Sequence, residues 1–126
     1  MNLENILNKL DNNIQQVLNS RYPAVNELFK AAGLAEGKRL RSRLFFLLAQ
    51  EDTEQSLQIA TALELVHAAT LIHDDILDNA LSRRGKSTLY INQGIPVSLL
   101  YGDYLFSSAF SLVAGLEDNR LYKMFT

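Results

Sequence analysis

The segment from Thr53 to Asp78 constrains this chain more than any other, because it is apolar on every side and far too long for a strand. Leu57, Ile59, Leu63, Leu65, Val66, Leu71, Ile72, Ile76 and Leu77 surround nearly the whole axis of a helix drawn through it. A helix apolar all round is normally the central member of its bundle. Asp52, with Gln55 three residues on, reads as its cap. Yet the segment ends in HDDILD, with three aspartates where Asp is a poor helix former and an unpaired buried carboxylate is costly.

The flanking sequence is helical too. Leu3, Ile6, Leu7, Leu10, Ile14, Val17 and Leu18 predict an amphipathic helix over 2–20. Pro23 opens a short helix that ends near Gly33, GLAEGK (33–38) is a turn, and 39–50 forms a third helix. Residues 79–87 read as a polar loop, and Pro96 begins a long apolar helix over 96–116. Residues 117–126 restart a helix and carry no stop signal, so the sequence reads as cut in mid-helix. No stretch has a convincing period of two, and the expected fold class is all-α, in one domain spanning 1–126.

The chain has no cysteine, which excludes disulfides and thiolate metal sites and fits a reducing compartment. Its N-terminus is not that of a signal peptide, and no run of about 18 apolar residues is free of charge. The expected location is the cytoplasm. A net charge of −2 favours no polyanionic partner as a whole, so any basic site must be local.

At about 100° per residue, Asp74 and Asp78 fall about 20° to either side of His67, on one stripe. They lie one turn apart, about 6 Å along the axis, with Asp75 flanking the stripe and His73 on another face. Paired carboxylates without soft ligands suit a hard cation such as Mg²⁺, completed by water and phosphate. Spacing alone leaves a solvated acidic helix end as the other reading, and makes His67, taken by itself, a hydrogen-bonded core histidine. The basic residues add weight to the metal. Arg83, Arg84 and Lys86 follow within a few residues, and Lys38, Arg39 and Arg41 open a helix, with Lys38 and Arg41 on one face. Acids and bases around one helical mouth suit a diphosphate–Mg²⁺ site, or else surface salt bridges.

GKRLR (37–41), ALELVHAATLIHDDILDNALSRRGKST (62–88) and GDYLFSSAF (102–110) together resemble the trans-isoprenyl diphosphate synthases, or polyprenyl synthetases. DDILD is similar to that family's first aspartate-rich motif. The resemblance implies an antiparallel helical bundle of the isoprenoid synthase type, of which this chain supplies the N-terminal portion. It implies condensation of isopentenyl diphosphate with an allylic diphosphate. Asp74 and Asp78 would hold Mg²⁺, Arg83 would contact the allylic diphosphate, and Lys38, Arg41, His67 and Arg84 would hold isopentenyl diphosphate. It also implies a homodimer, no nucleic-acid partner, no membrane span, and peripheral membrane contact at product release.

Small Ala69 and Thr70 before the aspartates, and the short spacer in DDILD, imply a product longer than farnesyl, for a quinone side chain. Geranylgeranyl is the runner-up if Phe106 and Phe110 form a lower floor. The sequence departs from the family pattern at Glu36, usually Gly, and at Ser42, usually Pro. It also ends before the family's second aspartate-rich motif, so the chain alone is expected to be inactive. The alternative expectation is a half-site subunit that pairs with a catalytic partner.

Overall fold

The computed structural model describes residues 1–116 and 118. The chain order is α1 (Leu3–Leu18), α2 (Pro23–Ala31), α3 (Leu40–Ala49), α4 (Glu54–Leu77), β1 (Ser82–Arg83), β2 (Lys86–Ser87), α5 (Leu89–Gln93) and α6 (Ile95–Gly115). The all-α expectation holds, and the expectation for 117–126 lies outside the described residues.

Helix α4 is the axis on which α1, α3, α5 and α6 pack. Its cap is Thr53, not Asp52: Thr53 sits in extended backbone and its Oγ1 accepts from Ser56 N at 3.1 Å. Helix α1 buries Ile6, Leu7, Leu10, Ile14 and Leu18, the stripe that its periodicity predicts. Asn13 ties α1 to α4 by donating to Thr61 Oγ1 at 2.7 Å and to Gln58 Oε1 at 3.1 Å. Phe46 of α3 is fully buried in the same core.

Helix α6 lies along α4 and buries Ser98, Tyr101, Gly102, Leu105, Ala109 and Val113. By length and composition it is the one described helix able to cross a membrane, although Asp103 lies within it. Its approach to α4 depends on Gly102, where an added Cβ would run into the His73 ring. His73 fills that notch, with Nε2 3.1 Å from the Leu99 carbonyl and 3.5 Å from Asp103 Oδ1.

The loop predicted over 79–87 contains a two-stranded hairpin, with Ser82 paired to Ser87 and Arg83 to Lys86. Its turn residues, Arg84 and Gly85, both have positive φ (51° and 77°), as a tight two-residue hairpin requires. Strands of two residues are too short to show alternation, which is why the sequence pattern passes over them. Helix α5 is likewise only five residues long, too short for a period to show in the sequence.

Candidate functional site: a basic cleft beside a carboxylate pair

The hairpin folds back beside the turn that precedes α3, and the two basic segments meet. Lys86 Nζ donates to Glu36 Oε1 at 2.7 Å, joining them at the rim. Gly37 (φ 128°) lies under Arg84, whose Nη1 would be 3.3 Å from any Cβ added there. The positive φ is what calls for glycine there, while the Arg84 guanidinium, the far end of a flexible side chain, packs close above it.

Between these segments and α4 lies a cleft of about 590 Å³. Lys38, Arg41, His67, Arg83 and Arg84 all line it, so the structure brings together every basic residue selected from the sequence. Glu36, Glu64, Asp75, Arg39 and Lys86 line it as well. Each of these three acids is matched to a cation. Glu36 pairs with Lys86, Glu64 lies 3.9 Å from Arg39, and Asp75 receives two hydrogen bonds from Arg83. Lys38, Arg41 and Arg84 are left with no side-chain partner among the described residues. The cleft thus presents three uncommitted cations and is built to accept a polyanion.

His67 stands among these cations. Its pKa is lowered, first by burial and then by the Arg41 charge, so it is neutral at pH 7. A neutral imidazole offers one N–H donor and one acceptor to a ligand. Arg83 is held by Asp75, whose hydrogen bonds raise the guanidinium pKa further. The charge of Asp75 is thereby spent, although its place in DDILD gave no sign of this. A guanidinium has more N–H groups than Asp75 engages, and Arg83 lines the cleft.

Asp74 and Asp78 do not line the cleft. Both are exposed at the C-terminal end of α4, and neither carboxylate has a side-chain partner among the described residues. Asp78 stays in helical geometry, with its N–H on the Asp74 carbonyl at 2.8 Å, so the expected one-turn spacing is kept. Two free hard oxygen ligands on one stripe fit Mg²⁺, which takes one or two carboxylates and fills its shell with water and phosphate. No third His, Asp or Glu joins them among the described residues.

A profile of the polyprenyl synthetase family matches residues 22–126. A short chain isoprenyl diphosphate synthase from Methanocaldococcus jannaschii is 38% identical over 123 residues, covering 93% of this chain and 36% of the relative. A decaprenyl diphosphate synthase from Rhodobacter capsulatus superposes with a TM-score of 0.89 at 29% identity, covering 98% of this chain and 39% of that one. A polyprenyl synthase from Caulobacter crescentus, crystallised with calcium and isoprenyl diphosphate, gives a TM-score of 0.83 at 32% identity and 37% coverage. The chain therefore spans less than half the length of the relatives it matches, in their N-terminal portion.

Proposed function

This chain belongs to the polyprenyl synthetase family, and on that premise we propose that it carries the diphosphate-binding side and one metal-binding face of a prenyltransferase site. The reaction is condensation of isopentenyl diphosphate with an allylic diphosphate, giving a polyprenyl diphosphate longer than farnesyl. The observation that carries this reading is the cleft in which Lys38, Arg41 and Arg84 are left unpaired while every lining acid is matched.

In this reading Lys38, Arg41 and Arg84 grip the diphosphate of the isopentenyl substrate, and neutral His67 donates its N–H to it. Asp74 and Asp78 would hold Mg²⁺, which would supply charge stabilisation for the departing allylic diphosphate. Arg83, oriented by Asp75, donates its remaining N–H groups to that diphosphate. The allylic C–O bond breaks with its electron pair on the leaving oxygen. The isopentenyl double bond attacks the allyl cation, and the adduct passes a proton to the released diphosphate, its C–H electron pair forming the new double bond. Apolar helix faces keep water away from the cation. Homodimer formation, a cytoplasmic setting and contact with a membrane at product release belong to the same proposal.

The test begins with calorimetric titration of the 126-residue protein with inorganic pyrophosphate, with and without MgCl₂. Lys38→Ala or Arg41→Ala should weaken binding in both conditions by about tenfold, the scale of one charge-assisted hydrogen bond. Asp74→Asn or Asp78→Asn should remove only the increment that MgCl₂ adds. Condensation should appear when a polypeptide supplying the second aspartate-rich motif is added, and not without it. Pyrophosphate affinity indifferent to Lys38 and Arg41 would sink the assignment.

A further inference from the structure

Glu64 is only 5% exposed beneath the segment that carries Lys38 and Arg41, and the chemistry above makes no use of it. A buried carboxylate persists only where donors and cations meet it. Both of its oxygens are met from one place, the start of α3. Ser42 Oγ donates to Oε1 at 2.6 Å, and Arg39 Nη1 lies 3.9 Å from Oε2.

Residues 39 and 42 are three apart and turned inward. Ser42 is fully buried, and the Arg39 side chain is only 12% exposed. Lys38 and Arg41 are also three apart, displaced by one residue, and turned out into the cleft. Helix α3 begins only at Leu40, so Lys38 and Arg39 precede it and the one helical face expected for Lys38 and Arg41 does not form; instead, anchoring the cap residue Arg39 and the first-turn residue Ser42 fixes the backbone from which their chain neighbours Lys38 and Arg41 reach the cleft. The backbone at Arg39 is left-handed (φ 53°, ψ 43°), a conformation that a non-glycine residue keeps only when its surroundings enforce it. Arg39 is also anchored through Nε to Asp11 at 2.8 Å and through Nη2 to the Leu34 carbonyl at 2.7 Å. The hydroxyl at 42 stands where the family pattern has proline, which has no donor to offer.

We propose that Glu64 is a positioning residue for diphosphate capture: through Ser42 and Arg39 it holds the orientation in which Lys38 and Arg41 face the cleft. This rests on the reading of the cleft as a diphosphate site.

The test is calorimetric titration of the 126-residue protein with inorganic pyrophosphate, well below the melting midpoint, with circular dichroism melts in parallel. Ser42→Ala should weaken pyrophosphate binding about three- to tenfold, as expected when a donor to a charged acceptor is lost. Ser42→Thr, which restores the hydroxyl, should recover most of the affinity. Glu64→Gln keeps an acceptor for Ser42 but removes the charge facing Arg39, and should also weaken binding. If Glu64→Gln does not fold, the Ser42 pair decides alone. Unchanged affinity in Ser42→Ala, or equal weakening in Ser42→Ala and Ser42→Thr, would overturn the proposal. So would loss of the fold in Ser42→Ala, which would assign the contact to stability. Failure of the cleft reading looks different: the unsubstituted protein would then not bind pyrophosphate, or would bind it regardless of Lys38.

Discussion

Glu36 and Lys86 face each other across the rim of the cleft, at 55% and 68% side-chain exposure. At such exposure the pair adds little to stability, but it matters to an incoming anion, because Glu36 both opposes the anion and occupies Lys86. Glu36→Gly, which restores the residue usual in the family, should therefore strengthen pyrophosphate binding by up to about fivefold, with the gain falling as salt is raised. Calorimetry at two ionic strengths checks this. His67 gives a second prediction at the same scale. Its pKa in the folded protein lies below the ordinary histidine value, so the unfolded chain takes up a proton first as the pH falls. Stability should then be full above the ordinary value and decline as pH falls through it, levelling off below the folded pKa. Bound pyrophosphate should raise that pKa by favouring the imidazolium. NMR titration of the imidazole with and without pyrophosphate reads both effects, and an ordinary pKa that ignores the anion would contradict both. Residue types and spacing gathered Lys38, Arg41 and Arg84 near the aspartates, because basic motifs are local in sequence, but their role and the choice of His67 rested on the family resemblance. The pairings that leave three of them free were not legible. Glu36–Lys86 and Ser42–Glu64 join residues 50 and 22 positions apart, and only the folded chain brings them together.

Within α4 the sequence treated Ala69 and Thr70 alike, as two small residues that leave a product tunnel open. The element separates them. Ala69 is fully buried in the core along with Leu65 and Ile72, whereas Thr70 is exposed, with its hydroxyl turned back to the Val66 and His67 carbonyls at 2.8 Å each. A ring at 69 must push the core apart, while a ring at 70 meets open space. Ala69→Phe should therefore cost about 1–3 kcal/mol of stability, read by urea denaturation. Thr70→Phe should fold normally and, in an active assembly with the second half of the site, shift products towards shorter chains. If Thr70→Phe turns over with unchanged products, the growing chain does not pass this face. Helical periodicity placed α1, α3, α4 and α6 within one or two residues, because a stripe of leucines repeats over many turns. Which side of a helix apolar all round faces a neighbour is not legible in that pattern. It is settled by details such as Gly102 accepting His73.

At the scale of the molecule, the outer face of α3 is the clearest departure from a finished surface. Leu40, Leu44, Leu47 and Leu48 are 64%, 58%, 50% and 76% exposed, and their spacing is that of a single helical stripe. On α6 Leu99 and Leu100 are exposed as well, at 47% and 67%. A leucine stripe on a helix ordinarily faces a core, and contiguous apolar surface of this kind drives association. The sequence showed α3 as basic at its start and apolar later, which is correct, but the inward side was taken by Ser42 and Phe46 and the leucines were left outside. The protein in isolation should therefore self-associate at micromolar concentration. Sedimentation velocity should show species larger than the 14.2 kDa chain, and an apolar dye should bind them. Leu44→Lys together with Leu48→Lys should shift the distribution towards monomer and abolish most dye binding. Far-ultraviolet circular dichroism should be unchanged, since lysine is as good a helix former as leucine and neither side chain is in the core. Lys38→Ala and Arg41→Ala, on the cleft side of the same helix start, should leave association unaltered. A parent protein that sediments as a clean monomer and binds no dye would mean that water tolerates the stripe.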